Sequence, residues 1–215
     1  KGGLNYFNPR SLKFGHVKHE SNKENTLNDN YVLSFHQVSD REVLIGTGKS
    51  ICIFDPVTQQ FTKTPAVKPG QDGLLENSQV NYIMKDFDGS FWYSTNGAGA
   101  CHYFPDTKKF KCYSKSGGKG NMPDIPECML LDNDNNIWIG TWSEGLALFD
   151  RKTEQCTTFL MDGKNSDLFS PTIITMTRDD DGMIWIGTKD NGLILLEPRS
   201  KRFEKIDLGS GLNKA

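Results

Sequence analysis

The chain has 215 residues, a formal net charge of −2, 36% hydrophobic residues and a mean hydropathy of −0.54. A balance this near neutrality excludes the strongly basic footprint of a nucleic-acid binder. No apolar run approaches the roughly 20 residues that span a bilayer as a helix. The 21 glycines and 11% aromatics suit many short strands joined by turns.

In chain order, the first element is a strand-turn-strand around "FNPRSLKF" from Phe7, filling residues 1–15. A longer segment, 16–64, contains "DREVLIGTGKSICIFD" ending at Asp55 and "FDPVTQQF" from Phe54. Segment 65–114 repeats it as "DGSFWYSTNGAGACHYF" and "YFPDTKKF", and 115–160 as "DNNIWIGTWSEGLALFD" and "FDRKTEQC". Segment 161–206 carries "DGMIWIGTKDNGLILLE" and "LEPRSKRF", and 207–215 is a tail. The Gly/Ser-Thr pairs fall at Gly46-Thr47, Ser94-Thr95, Gly140-Thr141 and Gly187-Thr188, spacings of 48, 46 and 47. A fixed period of this length means stacked supersecondary units.

Each unit reads as four strands. The first meets the second at Asp88-Gly89, Asp134-Asn135 or Asp181-Gly182, with Asp40-Arg41 a poorer copy, and these dipeptides predict two-residue hairpins with positive φ at both positions. The second strand is the "IWIGT" run and the third the "GLALF" run. A turn holding Pro and Ser/Thr at fixed offsets leads to the fourth and excludes helix there. Because "IWIGT" and "GLILL" are apolar without alternation, both faces of each sheet must be covered. Four-stranded sheets stacked face to face by radial repetition make a β-propeller. The Gly-His and Trp-Asp markers of WD40 repeats do not recur, and the kelch signature is absent too.

The expected fold is therefore all-β: a β-propeller of four-stranded antiparallel blades with eighteen strands and Trp92, Trp138 and Trp185 in one buried column. Residues 1–15 supply only the outer two strands of a partial blade, and 207–215 read as a connector toward a missing blade. The two ends cannot complete one blade together, so we expect an open arc of about four and a half blades that joins remaining blades of a parent protein or another copy of the chain.

The recurring D-x-[DN]-[GN]-x-[IF]-W-[IY]-[GS]-T-x3-G-L-x2-[FY]-[DN] resembles the two-component regulator propeller repeat of hybrid two-component histidine kinases. "IWIGTWSEGLALFD" and "IWIGTKDNGLILLEP" match closely, whereas "FWYSTNGAGACHYFP" loses the Gly-Leu pair and "VLIGTGKSICIFDP" loses the Trp. The resemblance implies a seven-bladed propeller in the periplasmic or other extracytoplasmic part of an inner-membrane protein. It further implies a sensor of oligosaccharides whose kinase, encoded elsewhere in the parent, regulates transcription. The fragment itself would touch neither membrane nor nucleic acid.

No catalytic constellation is visible, so this chain is expected not to be an enzyme and to need no cofactor. Asp132 with Asp134, and Asp179 with Asp181, could suggest calcium. An EF-hand loop needs more oxygen ligands in register, so hairpin turns are the preferred reading and no metal site is expected. His16, His19, His36 and His102 have no metal-ligand spacing with the cysteines, and His102 stands where Leu148 stands one repeat on, as a packed interior side chain. A propeller lyase of the streptogramin-inactivating kind, or a plain protein-interaction scaffold, is the alternative; the lyase repeats continue with an Asn-x-Ile-Gly-Arg run that is absent here. Cys101 and Cys112 should face one another across strands three and four, and we expect free thiols there because the next repeat holds Ala147 and Thr158 without a bridge.

Alternating strand directions put the two-to-three loops on the same face as the blade-to-blade connections, which differ in length and chemistry. The opposite face carries only the regular turns. Functional residues concentrate on variable loops held by a rigid scaffold. The candidate ligand-binding residues are thus Lys49, Asn96, Trp142, Glu144, Lys189 and Asp190. Trp142 leads them, because an exposed aromatic ring offers a flat surface to a sugar. The competing reading of Trp142 is a ring lying over the neighbouring blade.

Overall fold

The computed structural model describes residues 2–8, 13–63, 78–107, 109–115, 121–123, 125–159 and 170–206. These residues contain eighteen β-strands and no helix. Most of the connections expected at 65–78, 115–125 and 161–171, and the connector 207–215, lie outside the described residues. The chain forms two compact units, Lys1–Tyr113 and Ser114–Ala215.

The first unit begins with a two-stranded sheet of β1 (Leu4–Asn8) and β2 (Lys13–Val17). A four-stranded antiparallel sheet follows: β3 (Val32–Ser39), β4 (Glu42–Thr47), β5 (Ile51–Asp55) and β6 (Gln60–Lys63). The next comprises β7 (Val80–Lys85), β8 (Phe91–Thr95), β9 (Gly99–Phe104) and β10 (Lys109–Tyr113). Leu44 and Ile51 of one sheet meet Val80, Ile83, Phe91, Tyr93 and Phe110 of the next in a single apolar cluster. Face-to-face packing of this kind buries both faces of a sheet, which is why its strands read as apolar runs. Gly46 permits the approach, since a Cβ there would sit 2.8 Å from the Val80 carbonyl oxygen.

The second unit repeats the pattern with β11 (Pro126–Leu131), β12 (Ile137–Thr141), β13 (Leu146–Asp150) and β14 (Gln155–Phe159), then β15 (Ile173–Arg178), β16 (Ile184–Thr188), β17 (Leu193–Glu197) and β18 (Arg202–Lys205). Gly140 does there what Gly46 does in the first unit: its Cβ would lie 2.5 Å from Ile173 Cγ2. All four first strands carry a register shift near their start, at Val32/Ser34, Val80/Tyr82, Pro126/Cys128 and Ile173/Thr175. A bulge repeated at one position increases local twist in every blade.

At Asp88-Gly89, Asp134-Asn135 and Asp181-Gly182 the expected two-residue hairpins are three-residue loops instead, whereas Asp40-Arg41 is a two-residue turn between the paired Ser39 and Glu42. The N–H of Asp86 donates to Ser90 O (2.8 Å) and that of Gly89 to Asp86 O (3.1 Å), and Asp132/Asn135 and Asp179/Gly182 repeat both bonds. Within these loops only Gly89 (φ 86°), Asn135 (φ 65°) and Gly182 (φ 85°) are left-handed. That is a type I turn ended by one positive-φ residue, not a turn with two. The Asp that opens each loop accounts for the difference. Asp132 Oδ1 accepts the backbone N–H of Asp134 (3.0 Å) and of Asn136 (2.8 Å), holding the wider loop closed.

The other carboxylate oxygen of the same residue reaches the tryptophan column. The indole Nε1–H donates to Asp Oδ2 in Trp92–Asp86 (2.9 Å), Trp138–Asp132 (2.9 Å) and Trp185–Asp179 (2.8 Å). Trp92 and Trp138 are fully buried; Trp185 makes the same bond but is half-buried, and no strand follows β18 among the described residues. In the sheet β3–β6 the corresponding positions are Val38 and Leu44, so donor and acceptor are lost together and an apolar pair replaces them.

Cys101 and Cys112 are opposed across β9 and β10 as expected, but they form a disulfide. The free-thiol expectation is therefore corrected. The neighbouring repeat places Ala147 opposite Thr158 in the same register, and an unbridged pair there carries no information about whether two sulfurs at that spacing bond. Cys52, Cys128 and Cys156 carry no disulfide, and burial pushes the Cys128 and Cys156 thiols up to about 12.

Asp132→Ala should cost on the order of 2–3 kcal/mol in denaturant unfolding, because it strands a buried indole N–H together with two backbone donors. Thiol titration of the denatured, unreduced chain should count three thiols and, after reduction, all five.

Candidate functional site

Each two-to-three loop is built in the same way. The Thr that ends the second strand turns its hydroxyl back across the loop: Thr47 to Ser50 O (2.9 Å), Thr95 to Gly99 O (2.8 Å), Thr141 to Gly145 O (2.7 Å) and Thr188 to Gly192 O (2.8 Å). The first residue of the loop then donates its N–H to the segment entering the same blade, as Gly48 to Tyr31 O, Asn96 to Gln79 O, Trp142 to Ile125 O and Lys189 to Thr172 O. These bonds hold the loops and the entering connections on one face. The scaffold is constant there while the side chains it displays are not.

In the second unit the loops of adjacent blades touch. Lys189 Nζ lies 4.7 Å from the centroid of the Trp142 ring, a cation-π contact, and the ring is 45% exposed. Thr172 donates its hydroxyl to Trp142 O at 2.6 Å, and Gly145 donates its N–H to Pro171 O at 2.8 Å. Glu144 pairs with Lys115 at 3.2 Å. Trp142, Glu144 and Lys189 thus lie on two adjoining loops with Asp190 exposed beside them. The arrangement offers a part-exposed aromatic ring with a cation 4.7 Å from its centroid, chemistry suited to stacking and hydrogen bonding.

The remaining candidates, Lys49 and Asn96, are exposed on the equivalent loops of the first unit. Thr172 and Lys115 were not among the predicted residues. Both lie on entering connections, and their contacts arise only when one blade is set against, or folded back upon, the next loop.

The opposite face holds the regular turns. There Arg199 bridges to Asp134 at 3.0 Å, and hydrogen bonding to that guanidinium lowers the Asp134 pKa. His102 is buried and stacked on Trp92, with ring centroids 4.2 Å apart, as expected of an interior histidine. Asp86, Asp88 and His102 bring one ligand atom each to within 4.8 Å of one another. Asp86 already accepts from the Trp92 indole and the Phe87 N–H, and His102 lies 2.5 Å from Ser90 Oγ, so the cluster is tied together by its own hydrogen bonds.

The family described as two component regulator propeller matches residues 120–143 and 167–190, the two most regular repeats. No curated protein matches the chain. Among solved structures, the extracellular domain of one hybrid two-component system from B. thetaiotaomicron is 20% identical with a TM-score of 0.80, covering 94% of this chain and 27% of that one. A second such domain from the same organism is 24% identical with a TM-score of 0.73, covering 90% and 24%. Virginiamycin B lyase from Staphylococcus aureus, solved with quinupristin, is 15% identical with a TM-score of 0.67, covering 96% and 63%. This chain spans about a quarter of the length of the two extracellular domains. At these identities the superpositions establish a shared propeller fold. The four-stranded blades are cut to one pattern, so this chain has a β-propeller fold, and its residues 120–143 and 167–190 match the two component regulator propeller family.

Proposed function

We propose that the chain is a ligand-sensing part of the extracytoplasmic region of a hybrid two-component sensor. Its ligand is an oligosaccharide, bound on the loop face of the second unit. The signal crosses an inner membrane to a histidine kinase elsewhere in the parent, which regulates transcription. The observation that carries the reading is the half-exposed Trp142 ring, held by Thr172 and roofed by Lys189 on the variable face. A flat apolar surface beside charged hydrogen-bonding groups is the chemistry that recognises a sugar ring and its hydroxyls.

Further support is compartmental. The Cys101–Cys112 disulfide suits an oxidising environment, and no helix of the described residues is long and apolar enough to cross a membrane. Two of the solved structures that share the fold are extracellular domains of hybrid two-component systems, which favours a sensor over the lyase or scaffold reading. On this reading catalysis belongs to other parts of the parent, and this chain contributes binding alone.

Calorimetric titration against a panel of polysaccharide fragments should find a saturable ligand. Trp142→Ala should weaken it about tenfold or more, since the stacking lost is worth roughly 1.4 kcal/mol. The melting temperature should stay nearly constant. Unaltered affinity, or a large loss of stability, would instead make Trp142 a packing residue.

A further inference from the structure

The first unit holds a recess on the face of its regular turns. Its volume is about 360 Å³. Val38, Leu44, Phe91 and Tyr103 line its apolar part, and Glu42, Lys85, Asp88 and Asp106 its polar part.

In the sheet β3–β6, Val38 and Leu44 stand at the positions of the Asp–Trp pair of the other blades and form part of the lining. The remaining wall is stiff. Tyr103 stacks on Phe110 at 4.4 Å, and Phe91 meets the edge of His36 at 5.6 Å. Preorganised aromatic walls lower the ordering cost of binding.

The second unit has a recess at the matching place, lined in part by Asp134, Pro198 and Arg199. There the protein supplies its own cation, Arg199 on Asp134. Counting from the shared turn, with Pro198 matching Pro105, the residue at the Arg199 position is Asp106. The first unit has therefore replaced the cation with another carboxylate, leaving three acids against one lysine in the lining. Burial, and then the Glu42 carboxylate, raise the pKa of the Tyr103 phenol. His36 is held toward its neutral form by burial and by Lys85, so it adds no balancing charge.

We propose that this recess is a binding site for an organic ammonium ion, an amine carried on an aromatic or aliphatic body. The body packs on Phe91, Tyr103 and Leu44, and the ammonium lies among the carboxylates of Glu42, Asp88 and Asp106. Aromatic faces attract such cations directly, which adds to the carboxylate pairing. The site stands independently of the sugar-binding reading of the loop face.

Titration with phenethylammonium, and separately with phenylacetate as the same body bearing the opposite charge, tests it. The amine should bind saturably and phenylacetate should not. Asp106→Arg restores the internal cation on an exposed turn and should weaken the amine at least about tenfold with the fold retained by melting temperature. Trp142→Ala should leave amine binding unchanged, which separates this site from the loop face. Equal binding of phenylacetate, absence of saturable amine binding, or undiminished affinity in Asp106→Arg would overturn the proposal.

Discussion

The hydrogen bond between a buried indole and a buried aspartate is the constraint on which the blades depend. An indole N–H enclosed between sheets must find an acceptor, and a carboxylate carried inside must be satisfied by several donors. One residue meets both demands. Asp132 closes its own hairpin with Oδ1 and takes Trp138 with Oδ2. Turn geometry and blade-to-blade packing are thereby locked to each other, and a residue that fixes both cannot be exchanged alone. The sheet β3–β6 shows the consequence, since Val38 and Leu44 replace both partners at once.

This coupling divides the two faces of a blade. On the face of the regular turns, backbone conformation is dictated by the aspartate, so variation is limited to what neighbouring side chains leave open. On the other face the Thr hydroxyl and one inter-segment N–H bond hold each loop, and neither constrains the side chains between them. Chemistry is free to differ from blade to blade there. Gly48, Asn96, Trp142 and Lys189 open the four comparable loops and share nothing but their position.

The strand count, the antiparallel four-strand sheets, the Trp column and the cysteine register were all legible, because each follows from a local pattern that recurs at a fixed period. The turn type was not. Asp88-Gly89 reads as a two-residue hairpin by dipeptide preference, and the register is instead set by Asp86, two residues earlier, whose role depends on a Trp six residues away. Asp132 and Asp179 were weighed only as turn or metal residues for the same reason. The disulfide was missed because spacing brings two sulfurs opposite one another without saying whether they are bonded. Trp142 was picked out as an unrepeated aromatic on a loop, but its partners Lys189 and Thr172 were not assigned to it.

By itself the sequence determined the period, the strands within each period and the residues that each loop displays. These are consequences of side-chain alternation, turn chemistry and apolar runs, all of which act over a few residues. Only the tertiary structure decided which loop side chains meet and which side chains together line a recess between two sheets. Those outcomes depend on contacts between residues one full repeat apart, such as Lys189 over Trp142 and the Val38–Leu44 recess beneath Phe91 and Tyr103. No local pattern encodes them, because the distance and angle between two packed sheets are set by every side chain in the interface together.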